Sequence, residues 1–322
     1  MLSVLLPVYG GEDYVRDAIS SIQKQADVEL EIVAIDDGSK DSSWDILSSI
    51  ADDRLVKITK QNTGLASTLN QAIMLAKGQF LARLDQDDLM LDTRLSKQQS
   101  FLQQHADYAL IGTWSEIWVG NEKTSRGHRH PTSHEALHLA LLFDNPFVHS
   151  SVMLRKEAIL TVGGYSEDKQ RQPPEDYELW SRVVRQFRVA NIPEPLTVYR
   201  EVEGSMSRIS ERPFIKNVVK IASENLFFLL SGRYTLAECY CLACHYHGWG
   251  DGLSGLKLSQ ILNMHELAAI GVAGSRSHWS NEFSHTYREQ RVRLYSQYIR
   301  QYLPVKVFNV MRKVKTIARR LF

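Results

Sequence analysis

Residues 79–88 of this 322-residue chain read Gln-Phe-Leu-Ala-Arg-Leu-Asp-Gln-Asp-Asp, a short apolar run followed by three acids. A run of this length bounded by turn-forming residues predicts a buried β-strand. Three similar runs precede it, and segments of helix length separate them. We therefore predict strands at 3–9, 31–35, 55–59 and 79–84 and helices at 14–25, 42–50 and 64–76. This alternation is typical of βαβ units and predicts an α/β fold built on a mostly parallel sheet.

The pattern becomes less regular after residue 92. The predicted elements there are a helix to residue 105, β-rich stretches at 108–119 and 149–154, a helix at 175–186 and a last strand at 189–199. From residue 214 the pattern is helical with glycine breaks, so a domain boundary is predicted near residue 212. The prediction is one α/β domain at 1–212 and a helical C-terminal region at 213–322.

The composition is that of a folded globular protein, with 43% hydrophobic and 23% charged residues and a mean hydropathy of −0.27. No stretch holds the roughly 18 uncharged apolar residues that a membrane-spanning helix needs. Only three cysteines are present, which argues against a disulfide framework. No export signal is recognised at the start, so a cytoplasmic location is expected.

Charge is divided unevenly along the chain. Residues 1–200 carry 21 Lys and Arg against 28 Asp and Glu, whereas residues 201–322 carry 17 against 9. Residues 305–322 hold six basic side chains and no acid, with apolar residues near helical spacing. This tail predicts an amphipathic helix on an anionic membrane, at the inner face of the cytoplasmic membrane. The alternative is a solvated helix packed on its own domain, and no nucleic-acid partner is predicted because no such motif accompanies it.

Acids follow two predicted strands at their carboxyl ends, where open parallel sheets bind ligands. Asp36 and Asp37 follow the second strand, and Asp85, Asp87 and Asp88 follow the fourth. Acids in such places also cap helices, but a cap needs only one acid. Five carboxylates at one edge repel one another unless a cation or hydrogen-bond donors compensate. The sequence therefore predicts a bound divalent cation or a polar ligand.

Both common phosphate-binding loops are missing from the sequence. No G-x-G-x-x-G follows the first strand, and no G-x-x-x-x-G-K-[ST] occurs. A phosphate would then be held through a metal. Mn²⁺ or Mg²⁺ bound by Asp85 and Asp87, with diphosphate oxygens and water in the other positions, fits this pattern.

Five motifs, in order, resemble those of the family 2 glycosyltransferases, which have the GT-A fold. They are Pro7-Val8-Tyr9, Asp36-Asp37-Gly38-Ser39, Asn62-Thr63-Gly64-Leu65-Ala66, Leu84-Asp85-Gln86-Asp87-Asp88 and Glu175-Asp176-Tyr177-Glu178-Leu179-Trp180. The match covers about residues 2–210. The run that includes Ala82, Arg83, Arg94 and Gln98 looks most like bacterial transferases of exopolysaccharide, capsule and lipopolysaccharide synthesis. The resemblance implies a Rossmann-like, mostly parallel sheet flanked by helices and a helical C-terminal region.

The resemblance also implies an inverting, metal-dependent transfer of a sugar from a nucleoside diphosphate donor to a hydroxyl. The donor is UDP-linked by family habit, and the acceptor is a saccharide or a lipid-linked saccharide. The donor half is expected at about 1–92 and the acceptor half at about 93–212. The residues implied in nucleotide and donor binding are Pro7, Val8, Tyr9, Glu12, Asp36, Asp37, Asn62, Gly64, Asp85, Gln86 and Arg200. Asp85 and Asp87 are the implied metal ligands, with Asp88 in support.

Asp176 matches the acid that serves as general base in the family and removes the proton of the acceptor hydroxyl. Glu175 and Trp180 are implied to support it. Trp180 lies one helical turn from Asp176, where it either stacks on a sugar ring or packs in the core.

Three positions depart from the family pattern, namely Gly10, Leu69 and Val202. Gly10 replaces a common Asn, and Leu69 replaces an Arg of many relatives. Val202 replaces a His, so the role of that His is vacant or falls to another residue such as His149.

Two further motifs match other chemistries. His134-Glu135-Ala136-Leu137-His138 satisfies the zinc-protease signature, but its extended form is absent and an exposed helix face is predicted instead. Cys241-Leu242-Ala243-Cys244-His245 satisfies the haem-attachment signature, which normally operates outside the cytoplasm. These cysteines, with Cys239, are predicted to be small apolar residues of a packed helix.

The sequence thus predicts an enzyme, a GT-A glycosyltransferase. One alternative is a metal-dependent sugar nucleotidyltransferase, a class that usually carries a basic Gly-rich loop after its first strand, whereas residues 9–13 are acidic here. The other alternative is a non-catalytic nucleotide-sugar-binding or scaffold protein, which has no use for a base such as Asp176.

Overall fold

Short apolar runs separated by polar and glycine-containing turns become the strands and helices of the structure. It is a computed structural model and describes residues 1–202, 211–250 and 255–302. The strands of the described residues are β1 (Leu2–Val8), β2 (Leu30–Asp36), β3 (Leu55–Thr59), β4 (Phe80–Arg83), β5 (Leu89–Met90), β6 (Tyr108–Val119), β7 (Glu122–His128), β8 (Met153–Arg155) and β9 (Arg188–Glu201). The helices are α1 (Val15–Gln23), α2 (Ser43–Ser49), α3 (Leu65–Leu75), α4 (Arg94–Gln104), α5 (His134–Leu141), α6 (Lys156–Thr161), α7 (Glu175–Val183), α8 (Glu211–Leu230), α9 (Leu236–His247), α10 (Leu258–Ala273) and α11 (Asn281–Tyr302).

The first four strands form the parallel part of one mixed sheet. All seven residues of β1 and of β2 are buried, as expected for parallel strands with both faces covered. β1 pairs in parallel with β2 and β4, and β2 pairs in parallel with β3. The predicted βαβ architecture is therefore confirmed, and one apolar face of α1 packs into its core.

The second part of the sheet mixes strand directions. The strand order is β3-β2-β1-β4-β8-β6-β9-β5, with β7 paired to β6. β8 is antiparallel to β4 and β6, whereas β6 and β9 are parallel. β5 pairs with β9 at the far edge. Residues 84–88 therefore connect β4, in the middle of the sheet, to β5, the last strand in the order.

Two predictions for this part need correction. The predicted β-rich stretch at 149–154 begins as a 3₁₀ turn at His149–Ser151, and only Met153–Arg155 is a strand. The Ser151 hydroxyl donates to the Val148 carbonyl at 2.8 Å, and such local bonds compete with strand pairing. β7 was not predicted because most of its residues are exposed, so no apolar run marks it.

The chain divides into two compact units after Asn217, inside α8 and close to the boundary predicted near residue 212. The described part of the second unit is helical, as predicted. Two of its helices end at glycines, α9 at Gly248 with φ 64° and α10 at Gly274 with φ 69°. Glycine adopts positive φ without a side-chain clash, so the predicted glycine breaks are true helix ends.

Among the described residues, we find no helix that is both long and apolar enough to span a bilayer. One predicted feature, the basic tail at 305–322, lies outside the described residues.

Candidate active site

The loop between β4 and β5 gathers three carboxyl groups at the sheet edge. Asp85, Asp87 and Asp88 each offer an oxygen, and these oxygens all lie within 4.8 Å of one another. Asp88 is buried, and the other two are partly exposed. The structure thus brings together the predicted metal ligands and their predicted supporting acid.

Arg83 is the buried counter-ion of this cluster. Its side chain is 1% exposed and forms an ion pair with Asp85. Its Nη1 donates to Ser150 Oγ at 2.8 Å, and that hydroxyl donates to Asp85 Oδ2, also at 2.8 Å. Burial opposes the ionisation of Asp85, but Arg83 outweighs it and holds the pKa of Asp85 below its ordinary value. Arg83 is absent from the predicted site residues, although a charge inside an apolar strand run signals it.

Asp87 and Asp88 carry the unbalanced charge of the cluster. Burial and the Asp85 charge raise the pKa of Asp87 to about 6. Burial, followed by the charges of Asp87 and Asp85, raises the pKa of Asp88 well above its ordinary value. Asp88 Oδ2 has no hydrogen-bond partner within the described ranges. Crowded carboxylates with an unpartnered buried oxygen form a donor set that fits a hard divalent cation such as Mn²⁺ or Mg²⁺.

The acids after β2 are engaged by their own loops. Asp36 is 2% exposed and accepts hydrogen bonds from Ser39 and from Thr59 Oγ1, the latter at 2.9 Å. Asp37 is 4% exposed and accepts from Gly64 N at 2.8 Å and from Lys60. Burial opposes ionisation of Asp37, but these donors hold its pKa below the ordinary value. In this structure neither carboxylate is open to a base or ribose, because both are buried and accept hydrogen bonds from nearby residues.

Other predicted donor-binding residues surround these loops. Glu12 is exposed, and its Oε2 accepts from Ser42 N at 3.0 Å. Asn62 is exposed. Gly64 precedes α3 with φ 93°, a conformation that favours glycine. Glu12 and Asn62 therefore present side chains at this edge, whereas Gly64 contributes backbone shape.

The end of β1 is tied to the acidic loop. Pro7 and Val8 are buried in the strand, so only Tyr9 of the first motif, 54% exposed, presents its side chain to solvent. Gln86 Nε2 donates to Tyr9 O at 2.9 Å, and Tyr9 N donates to Gln86 Oε1 at 2.7 Å. Gly11 gives the amide its space, since a Cβ there would lie 2.5 Å from Gln86 Oε1. Gln86 therefore positions the loop, and Tyr9 offers an aromatic surface.

Arg200 lies behind the acid cluster. Its side chain is 3% exposed, its Nη2 lies 3.2 Å from Asp17 Oδ2, and its guanidinium lies over the Tyr14 ring. Its backbone N donates to Asp88 Oδ1 at 2.8 Å. In this conformation the guanidinium is not accessible to a diphosphate, contrary to expectation, because α1 covers it.

The first turn of α7 supplies the predicted base. Asp176 Oδ1 accepts from Tyr177 N at 2.7 Å, and Oδ2 accepts from Asn145 Nδ2 at 2.7 Å. Burial raises the pKa of Asp176, although both hydrogen bonds oppose it. Glu175, beside it, is buried, and burial and the Asp176 charge raise its pKa to about 7. Asn145 is a residue that the sequence motifs did not reveal, because it is far from Asp176 along the chain.

Aromatic packing lies beneath this turn. Trp180 is fully buried, so it does not stack on a sugar. The centroid of its ring lies 5.9 Å from that of His149 and 6.3 Å from that of Tyr165. His149 Nε2 is 2.8 Å from the Tyr165 hydroxyl, and Nδ1 is 3.9 Å from Glu175. Burial and the Arg83 charge hold the pKa of His149 well below its ordinary value. His149 is therefore a neutral ring between the base turn and Arg83.

Neither of the two remaining motifs forms a metal site within the described residues, where the aspartate cluster is the only group of three or more ligands found. His134 and His138 lie on α5, partly buried rather than on the exposed face predicted, with ring centroids 5.8 Å apart. The cysteines are free thiols on α9, and Cys239 and Cys244 are buried. The prediction of packed helix residues is confirmed for these two.

Comparison with known proteins decides the family. Residues 3–163 match the model described as Glycosyl transferase family 2. The putative glycosyltransferase EpsE of Bacillus subtilis is 33% identical over 226 residues, which cover 68% of this chain and 80% of EpsE. The chain belongs to glycosyl transferase family 2.

Further relatives and a solved structure extend the comparison. The Escherichia coli protein WfaP, named UDP-Glc:alpha-D-GlcNAc-diphosphoundecaprenol beta-1,3-glucosyltransferase, is 28% identical over 68% of this chain and 86% of its own length. Further bacterial relatives are named for O-antigen and amylovoran biosynthesis. The structure of S. aureus TarS residues 1–349 with UDP-GlcNAc matches with a TM-score of 0.61 at 18% identity, over 94% of this chain and 93% of that one. This likeness confirms the GT-A fold of this family 2 glycosyltransferase.

Proposed function

We propose that this glycosyltransferase moves a sugar, with inversion, from a UDP-sugar to a hydroxyl of a saccharide or lipid-linked saccharide in bacterial surface polysaccharide synthesis. The observation that carries the proposal is a chain of contacts from the acid cluster to the turn that holds Asp176. Ser150 donates to Asp85, and Nδ1 of the adjacent His149 lies 3.9 Å from Glu175 Oε1. The Arg83 charge acts on both Asp85 and Asp176. The named substrates of WfaP and the UDP-GlcNAc complex of TarS support the choice of UDP.

Asp87 and Asp85 are the residues that would bind Mn²⁺ or Mg²⁺ together with the diphosphate of the donor. Asp88 would support these two ligands. A bound divalent cation offsets the negative charge that develops on the leaving diphosphate. Gln86 fastens this loop to the end of β1, and Tyr9 offers its exposed ring to the nucleotide base.

Asp176 acts as the general base. Its carboxylate accepts the proton of the acceptor hydroxyl while that oxygen forms a bond to the anomeric carbon of the donor sugar. The bond from the anomeric carbon to the diphosphate oxygen breaks on the opposite face, and its electron pair leaves with UDP. Attack from the opposite face inverts the anomeric configuration, so the reaction needs one base and no covalent intermediate.

The two alternative functions have less support. Family membership and the placement of Asp176 both favour transfer of a sugar over synthesis of a sugar nucleotide. A binding or scaffold protein would have no need for a carboxylate held by two hydrogen bonds beside a second carboxyl group whose pKa is raised to about 7. The scaffold alternative is one outcome of the following experiment.

The test is thermal denaturation with UDP-, GDP- and TDP-sugars, each with and without Mn²⁺. A ligand that binds only the folded state must stabilise it, by about 2.7 kcal/mol at a concentration one hundred times its Kd. We expect a Mn²⁺-dependent rise in Tm with UDP-sugars alone. Asp87→Ala should lose it, and Asp92→Ala, an exposed acid four residues after Asp88, should keep it.

Two results would count against this assignment. Equal stabilisation with and without Mn²⁺, or an unchanged shift in Asp87→Ala, would remove the metal from the cluster. No shift with any nucleotide sugar in a folded protein would favour the scaffold alternative.

The basic tail at 305–322 is proposed to bring the enzyme to the inner face of the cytoplasmic membrane. Its six basic residues and interspersed apolar residues suit an anionic lipid surface. A lipid-linked acceptor would be met there. This proposal rests on the sequence pattern.

A further inference from the structure

Asn145 lies in the loop after α5 and contacts the carboxylate of Asp176. Its Nδ2 donates to Asp176 Oδ2 at 2.7 Å. The amide is itself fixed, because Asn145 Oδ1 accepts from Phe147 N at 3.1 Å and Asn145 N donates to Asp144 Oδ1 at 2.9 Å. Since the backbone N–H of Phe147 requires the amide oxygen, the amide NH₂ is the group that faces Asp176.

The carboxylate of Asp176 keeps part of its acceptor capacity. An ionised carboxylate has about four lone-pair sites. One on Oδ1 accepts from Tyr177 N, and one on Oδ2 accepts from Asn145. Both oxygens are thereby held in place, while about two sites stay open for a hydroxyl proton.

We propose that Asn145 is a positioning residue for the reaction, which fixes the Asp176 carboxylate and stabilises its ionised form for the acceptor hydroxyl. The inference rests on the proposed function, because it takes Asp176 to be the base. A neutral amide suits this purpose: it favours the carboxylate by hydrogen bonding but carries no positive charge that would strongly reduce the basicity of the carboxylate. Lysine or arginine at this place would weaken the base.

Several charged and titratable groups surround Asp176. Burial opposes its ionisation, whereas Tyr177 N, the Arg83 charge and Asn145 favour it. Glu175 on the same helix and Tyr165 on the preceding loop also interact with it. Asp144 lies beside Asn145 on the α5 loop. Loss of the amide donor removes one stabilising contact and leaves burial and the neighbouring acids, so Asp176 should then take up its proton at higher pH.

The test compares four variants of the full chain. Asn145→Ala removes the amide, and the isosteric Asn145→Asp keeps the acceptor for Phe147 N but replaces the donor. Asp176→Asn tests the base itself. Asn217→Ala is the matched control, because Asn217 Nδ2 donates to the carbonyls of Gln172 and Pro173 just ahead of α7 but does not contact Asp176.

Two readouts are needed. The first is ¹³C NMR titration of carboxyl-labelled aspartate, in which the resonance missing from Asp176→Asn identifies Asp176. The second is the rate of UDP release from UDP-glucose with GlcNAc-diphosphoundecaprenol as the probe acceptor. Both Asn145 variants should raise the titration midpoint of Asp176, move the acid limb of kcat to higher pH and lower kcat by about tenfold or more. Donor affinity should not change, and Asn217→Ala should leave the midpoint and acid limb unchanged.

The outcomes separate this inference from the proposed function. Asp176→Asn should lower kcat by about a hundredfold; a wild-type rate in that variant would overturn both. A slow Asp176→Asn variant beside Asn145 variants with a wild-type midpoint and acid limb would overturn the role of Asn145 alone. A kcat loss in the Asn145 variants without any change of midpoint would mean a merely structural role and would also overturn it.

Discussion

Glu175 and Asp176 are neighbours in the first turn of α7, yet their carboxyl groups have different surroundings. Asp176 accepts two hydrogen bonds at 2.7 Å. Glu175 is 8% exposed, and His149 Nδ1 lies 3.9 Å from its carboxyl. Burial and the Asp176 charge raise the pKa of Glu175 to about 7. At pH 7 Glu175 is therefore protonated in about half of the molecules, which lowers the total negative charge of this turn.

The raised pKa of Glu175 makes stability depend on pH. Its ordinary pKa of 4.5 applies to the unfolded chain, so the folded protein binds more protons there between pH 4.5 and about 7. The contribution of Glu175 to stability is therefore greatest at low pH and falls as pH rises through this window. The free energy of unfolding of Glu175→Gln, taken relative to that of the wild type, should therefore be higher at pH 8 than at pH 5. We expect this increase to be on the order of 1–3 kcal/mol.

Urea unfolding at the two pH values measures this gain. Glu157→Gln, at an exposed position on α6, is the control and should show no such difference. An equal effect of Glu175→Gln at both pH values would mean that Glu175 titrates normally in the folded state.

At the scale of elements, α4 joins several strands through two buried polar side chains. Arg94 Nη2 donates to the carbonyls of Arg83 at 2.9 Å and Val152 at 3.2 Å. Gln98 Nε2 donates to the carbonyls of Ile111 and Ser151, both at 2.8 Å. Burial lowers the pKa of Arg94 to about 9, so it is still a cation at neutral pH. The helix thereby holds the ends of β4 and β6 and the turn before β8 in register beneath the acid cluster.

Loss of this brace should destabilise the first unit. Arg94→Leu leaves buried carbonyls without their donor, at a cost of about 1–3 kcal/mol for each unsatisfied group. We expect the free energy of unfolding to fall by about 2–4 kcal/mol, measured by urea titration. Arg54→Leu removes an arginine that is 40% exposed and paired with Asp52, and such surface pairs contribute at most about 1 kcal/mol. Similar losses in both variants would refute the bracing role of Arg94.

At the scale of the whole chain, charge separates the two parts. Residues 1–200 carry 7 more acidic than basic residues, the difference of 28 and 21, and residues 201–322 carry 8 more basic ones, the difference of 17 and 9. The acidic excess includes the cluster that is proposed to bind a cation. The basic excess includes the tail that is proposed to bind anionic lipid. The two proposed partners thus carry opposite charges and would be bound by different parts of one chain.

Deletion of residues 305–322 tests the membrane proposal. Each basic residue near an anionic surface contributes about 1 kcal/mol, so the truncated chain should bind phosphatidylglycerol vesicles at least tenfold more weakly at low salt. Vesicles of phosphatidylcholine alone serve as the control, with little binding by either form. An unchanged shift of Tm with UDP-sugar and Mn²⁺ would show that the truncated protein is folded. Equal sedimentation of both forms with anionic vesicles would rule out the tail as an anchor.

Local pattern was enough for some parts of the site. The acids at the end of β4 were predicted because they follow a strand of the predicted sheet, and Asp176 was implied by the resemblance of residues 175–180 to a family motif. Asn145 and Arg83 were not predicted as site residues, since their partners lie on other elements. The opposite error occurred at Arg200, whose guanidinium suits a diphosphate but is buried, whereas Trp180 follows the core-packing alternative of the sequence analysis.

The sequence by itself determined the alternating strands and helices of residues 1–90, the α/β fold that they build and the acids at the carboxyl ends of the strands. These depend on hydrophobic periodicity and turn residues, which act over a few positions along the chain. Only the tertiary structure decided which polar groups face a ligand and which form hydrogen bonds within the protein. Asp36 and Asp37 are held by their own loops, whereas Asp87 keeps an elevated pKa. Burial and hydrogen bonding between distant residues determine this difference, because the free energy of a charge depends on everything that surrounds it.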